Sequence, residues 1–182
     1  MRLDSRLLLA VAAIAVAAAL LWRYEHSRLA APPPGWERVD HVADGDTIVL
    51  RGHVTVRLVQ IDTPEVYFHA ECYGEQASAE TKQLLHRGSL VRLERDPVTT
   101  STDVYGRLLR YVIMQDGVNV NLRLVADGAA APYFFDGERG RYAGTLTASA
   151  EAARADGKGL WGACPRTVLD PAHGVDTGDP VD

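Results

Sequence analysis

The fold is decided by residues 39–59, which read VDHVADGDTIVLRGHVTVRLV. Apolar and β-branched residues on both sides of Asp44-Gly45-Asp46 predict two strands joined at a tight, hairpin-like turn. The last part, residues 54–59, is rich in β-branched side chains and predicts a third strand. The domain therefore begins with β-structure.

Further along the chain, the hydrophobic pattern predicts two more strands and three helices. Residues 90–94 and 108–114 alternate like strands. Apolar residues at helical spacing predict helices from Gly74 to His86, from Val118 to Asp127 and from Ala143 to Ala153. Five short strands in the order βββ-α-ββ-α-α predict an α+β, mainly β fold. We expect a five-stranded, partly open OB-type barrel with three helices, preceded by an N-terminal hydrophobic helix.

The N-terminus carries an uncharged apolar run at residues 7–22, preceded by two arginines. Its length lies between that of a signal-peptide core and that of a full membrane span. We therefore predict an uncleaved membrane anchor at residues 1–24, followed by a stiff Pro-rich linker at residues 25–36. Cleavage of a signal peptide after Ala19 is the alternative, and it would release the protein from the membrane.

The chain has two cysteines, Cys72 and Cys164. An even pair in an exported chain predicts one disulfide, and two free thiols are the alternative. Neither residue lies in a C-x-x-C or zinc-type spacing, so the pattern does not indicate a metal site at these residues. Together with the N-terminal run, the cysteines predict an extracytoplasmic domain, membrane-anchored or, if the run is cleaved, secreted.

The formal net charge of the chain is −5 at pH 7. Part of the acidity lies in the tail at residues 166–182, whose Asp, Pro and Gly content predicts disorder. A passive, non-specific nucleic-acid binder is usually basic, so the composition argues against that class. Any contact with nucleic acid must therefore be confined to one site and assisted by a cation.

Three short motifs carry polar chemistry: DGDT at residues 44–47, RLVQIDTPE at 57–65 and DVYGR at 103–107. Carboxylate oxygens suit calcium or magnesium, and a further carboxylate can take a proton from water. Arginine forks can hold phosphate oxygens. Each motif alone is more typical of a turn, a loop cap or a surface ion pair. Together they are the parts needed to cut a phosphodiester with a metal ion.

These motifs, with YGEQAS at residues 73–78 and GLW at 159–161, resemble the staphylococcal nuclease (thermonuclease) family in order and spacing. The resemblance runs from about Glu37 to Trp161. It implies an OB-type barrel with three helices in a nuclease domain at residues 37–165. It also implies a calcium-dependent phosphodiesterase that cuts DNA and RNA and leaves 3′-phosphate ends. We expect the domain to act as a monomer.

The resemblance also implies roles for individual residues. Asp46 and Asp62 would bind Ca²⁺ through their carboxylates. The backbone carbonyl of Thr63 would be a third ligand. The carboxylate of Glu65 would be the general base, or would orient the attacking water.

Two arginines and a tyrosine would contact the substrate. Arg57 and Arg107 would bind the scissile phosphate, and Arg107 would also stabilise the developing charge or the leaving group. Tyr105 matches a position that contacts the substrate phosphate. At Val104 the chain departs from the type member of the family, which has a lysine there, so one phosphate contact is expected to be lost.

A non-catalytic barrel of the same family, binding protein or nucleic acid, is the alternative function. Such domains usually lack several of the carboxylates and arginines named above, whereas this chain has all of them. A redox role for the two cysteines lacks an activating motif. The sequence therefore favours the enzyme.

Overall fold

The computed structural model describes residues 5–29 and 31–180. The chain forms two compact units, residues 1–33 and 34–182. In the first unit, helix α1 spans Ser5–Leu29, so it extends into the segment predicted as linker. The first proline after it is Pro32, and the stretch before it contains no residue that breaks a helix.

The sequence predicts a membrane anchor at residues 1–24. In the part of the chain that the structure describes, no helix is both long enough and apolar enough to span a bilayer.

The second unit is built from short strands and four helices within its described residues. The strands are β1 (Glu37–Val42), β2 (Thr47–Leu50), β3 (Val54–Leu58), β4 (Ile61–Asp62), β5 (Leu90–Glu94), β6 (Leu108–Met114), β7 (Ala131–Pro132), β8 (Val168–Asp170) and β9 (Gly174–Asp176). The helices are α2 (Gly74–Leu84), α3 (Val120–Asp127), α4 (Ala143–Ala155) and α5 (Leu160–Ala163), with a 3₁₀ turn at Phe135–Gly137.

Five of these strands close into a barrel in the order β1-β2-β3-β6-β5. β1 pairs antiparallel with β2 around the DGDT turn, with Val42 opposite Ile48. β3 lies antiparallel to β2 and parallel to β6, with Arg57 opposite Leu109. β5 completes the ring by pairing with β1. The predicted five-stranded OB-type barrel is therefore confirmed, and it is closed rather than partly open.

The inward faces of the strands supply the core of the barrel. Val56 and Leu58 on β3 are completely buried, and they pack with Ile48 of β2 and Leu124 of α3. Side chains alternate along a strand, so Arg57 between them leaves the core on the opposite face. The alternation that points Val56 and Leu58 into the core thus points Arg57 out of the core.

Helices α2, α3 and α4 agree with the predicted helices. α3 begins where the Asn119 side chain accepts the N–H of Leu122 at 3.2 Å, an N-cap bond. It ends at Gly128, whose φ of 76° is favourable for glycine. The short helix α5 is a fourth helix of this unit. It is a single turn at the GLW motif, and the sequence pattern did not predict it.

The tail is the main difference from the predicted fold. The prediction of disorder at residues 166–182 is wrong over most of the segment, because β8 and β9 pair as a hairpin. Val175 of this hairpin is buried in a small cluster with Cys72 and Cys164. The Thr177 hydroxyl also donates to the Cys72 carbonyl at 2.7 Å. An acidic composition predicts disorder but gives no information about long-range contacts. These few contacts are enough to order a short segment.

The predicted disulfide is confirmed between Cys72 and Cys164, which are 92 positions apart. It joins the residue two before α2 to the residue after α5. Among the described cysteines none is free. The cross-link therefore ties the C-terminal end of the domain to the loop that follows β4.

Removal of this disulfide should destabilise the protein. A Cys72→Ser, Cys164→Ser double variant is expected to lose about 4–5 kcal/mol of unfolding free energy, because so long a closed loop restricts the unfolded chain. Urea denaturation with and without a reducing agent measures the loss. The reductant should destabilise only the wild-type protein. Equal stability of the double variant and the oxidised wild type would contradict the prediction.

Candidate active site

One side of the barrel carries a cavity of about 620 Å³ where the three polar motifs meet. Residues from β2, β3, β4 and the loops after β4 and before β6 line it. Every residue with a predicted role is among them: Asp46, Arg57, Asp62, Thr63, Glu65, Tyr105 and Arg107. The structure thus brings all of the predicted site residues together in one place.

Arg57 lies at the centre of the acidic part of the cavity. Its Nη1 is 2.6 Å from Asp46 Oδ2, and its Nη2 is 2.8 Å from Asp62 Oδ1. Nη1 also donates to the carbonyl of Ile61 at 3.0 Å. Only 14% of the Arg57 side chain is exposed. One guanidinium therefore bridges the two carboxylates that the sequence assigns to metal binding.

Asp46 is held by Thr63, the residue that follows β4. Its Oδ2 accepts the backbone N–H of Thr63 at 3.0 Å and the Thr63 hydroxyl at 3.1 Å. This approach requires a glycine at position 45, since a Cβ on Gly45 would overlap the Thr63 side chain. The glycine of the DGDT motif therefore has a steric purpose that is visible only in the folded chain.

Burial has the largest effect on the pKa of the carboxylates of Asp46 and Glu65. Burial raises the pKa of Asp46 to about 7. The positive charge of Arg57 lowers this pKa, and the negative charges of Asp44 and Asp62 raise it further. Burial also raises the pKa of Glu65, again with contributions from Asp62 and Asp44. Because one guanidinium, that of Arg57, faces several carboxylates, the negative charge in the cavity exceeds the positive charge of its arginines.

The residues fit a hard cation by their chemistry. The candidate ligands are all oxygen donors, as calcium and magnesium prefer, and their excess negative charge favours a bound cation. Within residues 5–29 and 31–180, no group of three or more His, Cys, Asp or Glu side chains is arranged to hold a metal ion. Two carboxylates would leave the other coordination positions to backbone carbonyls, water and substrate, as is common for such ions.

The raised pKa of Asp46 predicts a pH-dependent stability of the metal-free protein. The folded state holds the Asp46 proton up to about pH 7, whereas the unfolded state releases it near 3.8. The contribution of this group is therefore fully present below its unfolded pKa and is lost as the pH rises through the folded value. Asp46→Asn removes the titration, so this variant should gain stability relative to wild type between about pH 4 and 7.

Urea denaturation of both proteins with a chelator, at several pH values, measures this difference. A stability difference that stays constant with pH would contradict the assignment to Asp46.

The loop that carries Glu65 is fixed by backbone contacts. Glu65 N–H donates to Glu71 Oε2, and Glu71 N–H donates to the Glu65 carbonyl, both at 2.9 Å. A Cβ on Gly74 would overlap the same carbonyl. The sequence pattern predicts no role for Gly74 or Glu71. The tight packing of α2 against this loop holds Glu65 at the edge of the cavity.

Asp103 organises the third motif. Its Oδ1 accepts the N–H groups of Tyr105 and Arg107, and its Oδ2 accepts Arg107 Nε at 2.6 Å. Although burial opposes it, these hydrogen bonds lower the pKa of Asp103. The Arg107 guanidinium also lies 5.4 Å from the centre of the Tyr105 ring. With Nε bound, the two Nη groups of Arg107 are the donors left for a phosphate.

Residues outside the three motifs also line the cavity. Among them are Tyr133, Phe135 and His173. His173 lies between β8 and β9, in the tail for which the sequence predicts disorder, so no motif pointed to it. Val175, also in this segment, donates its N–H to Asp62 Oδ2 at 3.0 Å. A backbone donor has no sequence signature, which is why this contact was missed.

Comparison with known proteins identifies the family. The model of the family described as Staphylococcal nuclease homologue matches residues 55–163, more than half of the chain. The chain therefore belongs to the staphylococcal nuclease family. The matched range includes every predicted site residue except Asp46, which lies on the preceding turn.

Several relatives carry the name endonuclease. Endonuclease YhcR of Bacillus subtilis (strain 168) is 36% identical over 138 residues, which cover 68% of this chain and 11% of that protein. Endonuclease YncB of the same organism is 35% identical over 129 residues, or 68% and 60% of the two chains. An uncharacterized endonuclease of Escherichia coli O157:H7 is 36% identical over 127 residues, or 68% and 75%. The chain thus spans less than two thirds of the two Bacillus proteins.

Proposed function

We propose that this protein is a nuclease that hydrolyses the phosphodiester bonds of DNA or RNA with calcium as its cofactor. One observation carries the proposal: a single cavity combines the buried carboxylate of Asp46, the partly buried carboxylate of Asp62, a separate glutamate and two arginines. A non-catalytic binding module would have no need of this combination. The relatives named endonuclease support the same class of activity.

The two arginines hold the scissile phosphate in the proposed reaction. Arg57 Nη2 donates to Asp62 and has a second N–H for a phosphate oxygen, and Arg107 offers its Nη groups. Together they neutralise the charge that develops on the phosphate oxygens. Tyr105, with an exposed ring beside Arg107, contacts the substrate phosphate from the rim.

Glu65 acts on the attacking water. Its carboxylate takes a proton from the water as the oxygen bonds to phosphorus, and its raised pKa makes it a stronger base than an ordinary glutamate. The bond from phosphorus to the 5′ oxygen breaks, the leaving oxygen takes up a proton from solvent water, and the 3′-phosphate remains. Calcium, when held by Asp46, Asp62 and the Thr63 carbonyl, would supply positive charge to the phosphate.

Digestion of plasmid DNA and of a single-stranded RNA by the purified protein tests the function. Reactions contain calcium, magnesium or a chelator. We expect cleavage with calcium and none with the chelator, and end-labelling should detect 3′-phosphate products. Absence of cleavage of both substrates with every metal would overturn the proposal and favour the binding module.

We also propose that the domain works outside the cytoplasm. The disulfide between Cys72 and Cys164 supports this location, since structural disulfides persist in oxidising compartments. Fractionation of producing cells, with blotting of the membrane, periplasmic or wall, and released fractions, separates an anchored protein from a secreted one. Recovery in the cytosol with reduced cysteines would overturn the proposal.

A further inference from the structure

The C-terminal hairpin, β8 and β9 with their connecting turn at residues 168–176, reaches the active-site cavity from outside the region matched by the family model. That match ends at residue 163. His173 nevertheless lines the cavity beside the predicted site residues. The hairpin is therefore a feature of this chain that the family comparison does not explain.

The hairpin contacts Asp62 directly. Arg57 Nη2 holds Asp62 Oδ1 at 2.8 Å, and the Val175 N–H holds Oδ2 at 3.0 Å. Both oxygens of the carboxylate thus have a fixed partner, which sets the plane of the group. Gly174 has a φ of +100°, and a Cβ there would overlap Asp62 Oδ2. The hairpin backbone can approach the carboxylate this closely only because position 174 is glycine.

The hairpin is itself anchored on both sides. The Pro171 carbonyl accepts the N–H of Phe134. After β9, the Thr177 hydroxyl donates to the Cys72 carbonyl at 2.7 Å, and Cys72 N–H donates to the Gly178 carbonyl at 2.8 Å. Cys72 also forms the disulfide. A segment held at these points can position Asp62 rather than merely cover it.

His173 lies at the turn of the hairpin, with 83% of its side chain exposed. Its Nδ1 is 2.7 Å from Asp170 Oδ2, which orients the ring. The Nε2 atom of the ring then faces away from Asp170 and can bind a ligand. An imidazole oriented in this way is suited to a phosphate oxygen, because the imidazolium form donates from both ring nitrogens and its Nε2–H is then the donor that faces away from Asp170.

We propose that the C-terminal hairpin is a wall of the active site, in which the Gly174–Val175 backbone positions Asp62 and His173 binds a phosphate of the nucleic-acid strand next to the scissile one. The inference deepens the proposed nuclease function and rests on it. Gly174 and Val175 are positioning residues, and His173 is a substrate-binding residue.

The positioning role is tested with Gly174→Ala. Its methyl group displaces Asp62, so kcat should fall at least about tenfold, since small misplacements in active sites are costly. Calcium binding, measured by isothermal titration calorimetry without substrate, should weaken as well. The control is Gly117→Ala, at a φ of +87° with no atom near the added Cβ. It carries the same kind of backbone strain away from the cavity.

Equal kcat and equal calcium affinity in the Gly174→Ala and Gly117→Ala variants would overturn the positioning role. Circular dichroism checks that both variants fold. If Gly174→Ala does not fold, Thr177→Val takes its place, because it removes the bond to the Cys72 carbonyl without adding a clash. A wild-type kcat in that variant would then overturn the role.

The phosphate contact is tested with His173→Ala. Fluorescence anisotropy with a labelled 12-nucleotide single-stranded DNA in chelator measures binding without turnover. We expect Kd to rise at least about fivefold, KM to rise more than kcat falls, and His173→Lys to restore binding in part. The control is His53→Ala, at an exposed turn outside the cavity lining.

An unchanged Kd for His173→Ala would overturn the phosphate contact. The anisotropy measurement separates this inference from the proposed function. Failure of the wild-type protein to cleave any substrate would remove the nuclease proposal, whereas failure of His173→Ala alone to weaken binding removes only the role of His173.

Discussion

Arg107→Ala is expected to lower kcat at least about a hundredfold while the protein stays folded. Loss of one preorganised donor to a developing oxyanion costs about 3–4 kcal/mol of transition-state stabilisation. Arg107 has its Nε committed to Asp103, which leaves its Nη groups to hold the phosphate in the proposed reaction. Arg107→Lys should recover only part of the rate, because lysine lacks the planar fork. Steady-state cleavage of a fluorogenic oligonucleotide measures the effect.

Arg123→Ala is the matched control for this experiment. Arg123 forms the same kind of i, i+4 ion pair, with Asp127 on α3, but lies outside the cavity lining. Its removal should leave kcat within about twofold of wild type, since exposed pairs contribute little. Equal losses of activity in the two variants would show that Arg107 acts through stability rather than on the substrate.

Glu65→Gln is expected to reduce turnover by a similar factor, at least about a hundredfold, because glutamine cannot accept the proton of the attacking water. The pH profile gives an independent measurement. Burial raises the pKa of Glu65, so the activity of the wild type should rise with pH along a limb whose midpoint lies above the ordinary value of 4.5. That limb should be absent from the residual activity of the variant.

The control for Glu65 is Glu75→Gln, an exposed position in the first turn of α2. Its turnover and pH profile should match those of wild type. A Glu65→Gln variant with wild-type turnover would remove Glu65 from the reaction. A slow variant that keeps the acid limb would assign that limb to another group.

Much of the fold could be predicted because it follows from local patterns. The β-branched residues at 54–59 identified β3, and the glycine-centred turn at 44–47 identified the β1–β2 hairpin. Both pair as neighbouring strands of the barrel. Asn119 and Gly128 mark the ends of α3 through capping that depends only on neighbouring residues. The tail was mispredicted because its order depends on partners such as Cys72, which is about a hundred positions away.

The candidate site divides in the same way. Its acidic and basic residues could be named from the motifs, because side-chain chemistry is visible in a sequence. The pairing of these residues could not be predicted, since the Arg57 side chain could have faced solvent, one carboxylate or two carboxylates. Only the alternation of β3 around the buried Val56 and Leu58, combined with the return of the chain at β4, brings its guanidinium between Asp46 and Asp62.

The identity of the fold, the barrel strands and the residue types of the site were thus present in the sequence, because periodicity and side-chain chemistry are local properties. The excess negative charge of the cavity and the fixed plane of Asp62 arise only in the tertiary structure. Burial, which raises the pKa of Asp46, is a property of surroundings assembled from distant segments. The N–H of Val175 reaches Asp62 across 113 positions, and a backbone donor is the same in every residue but proline.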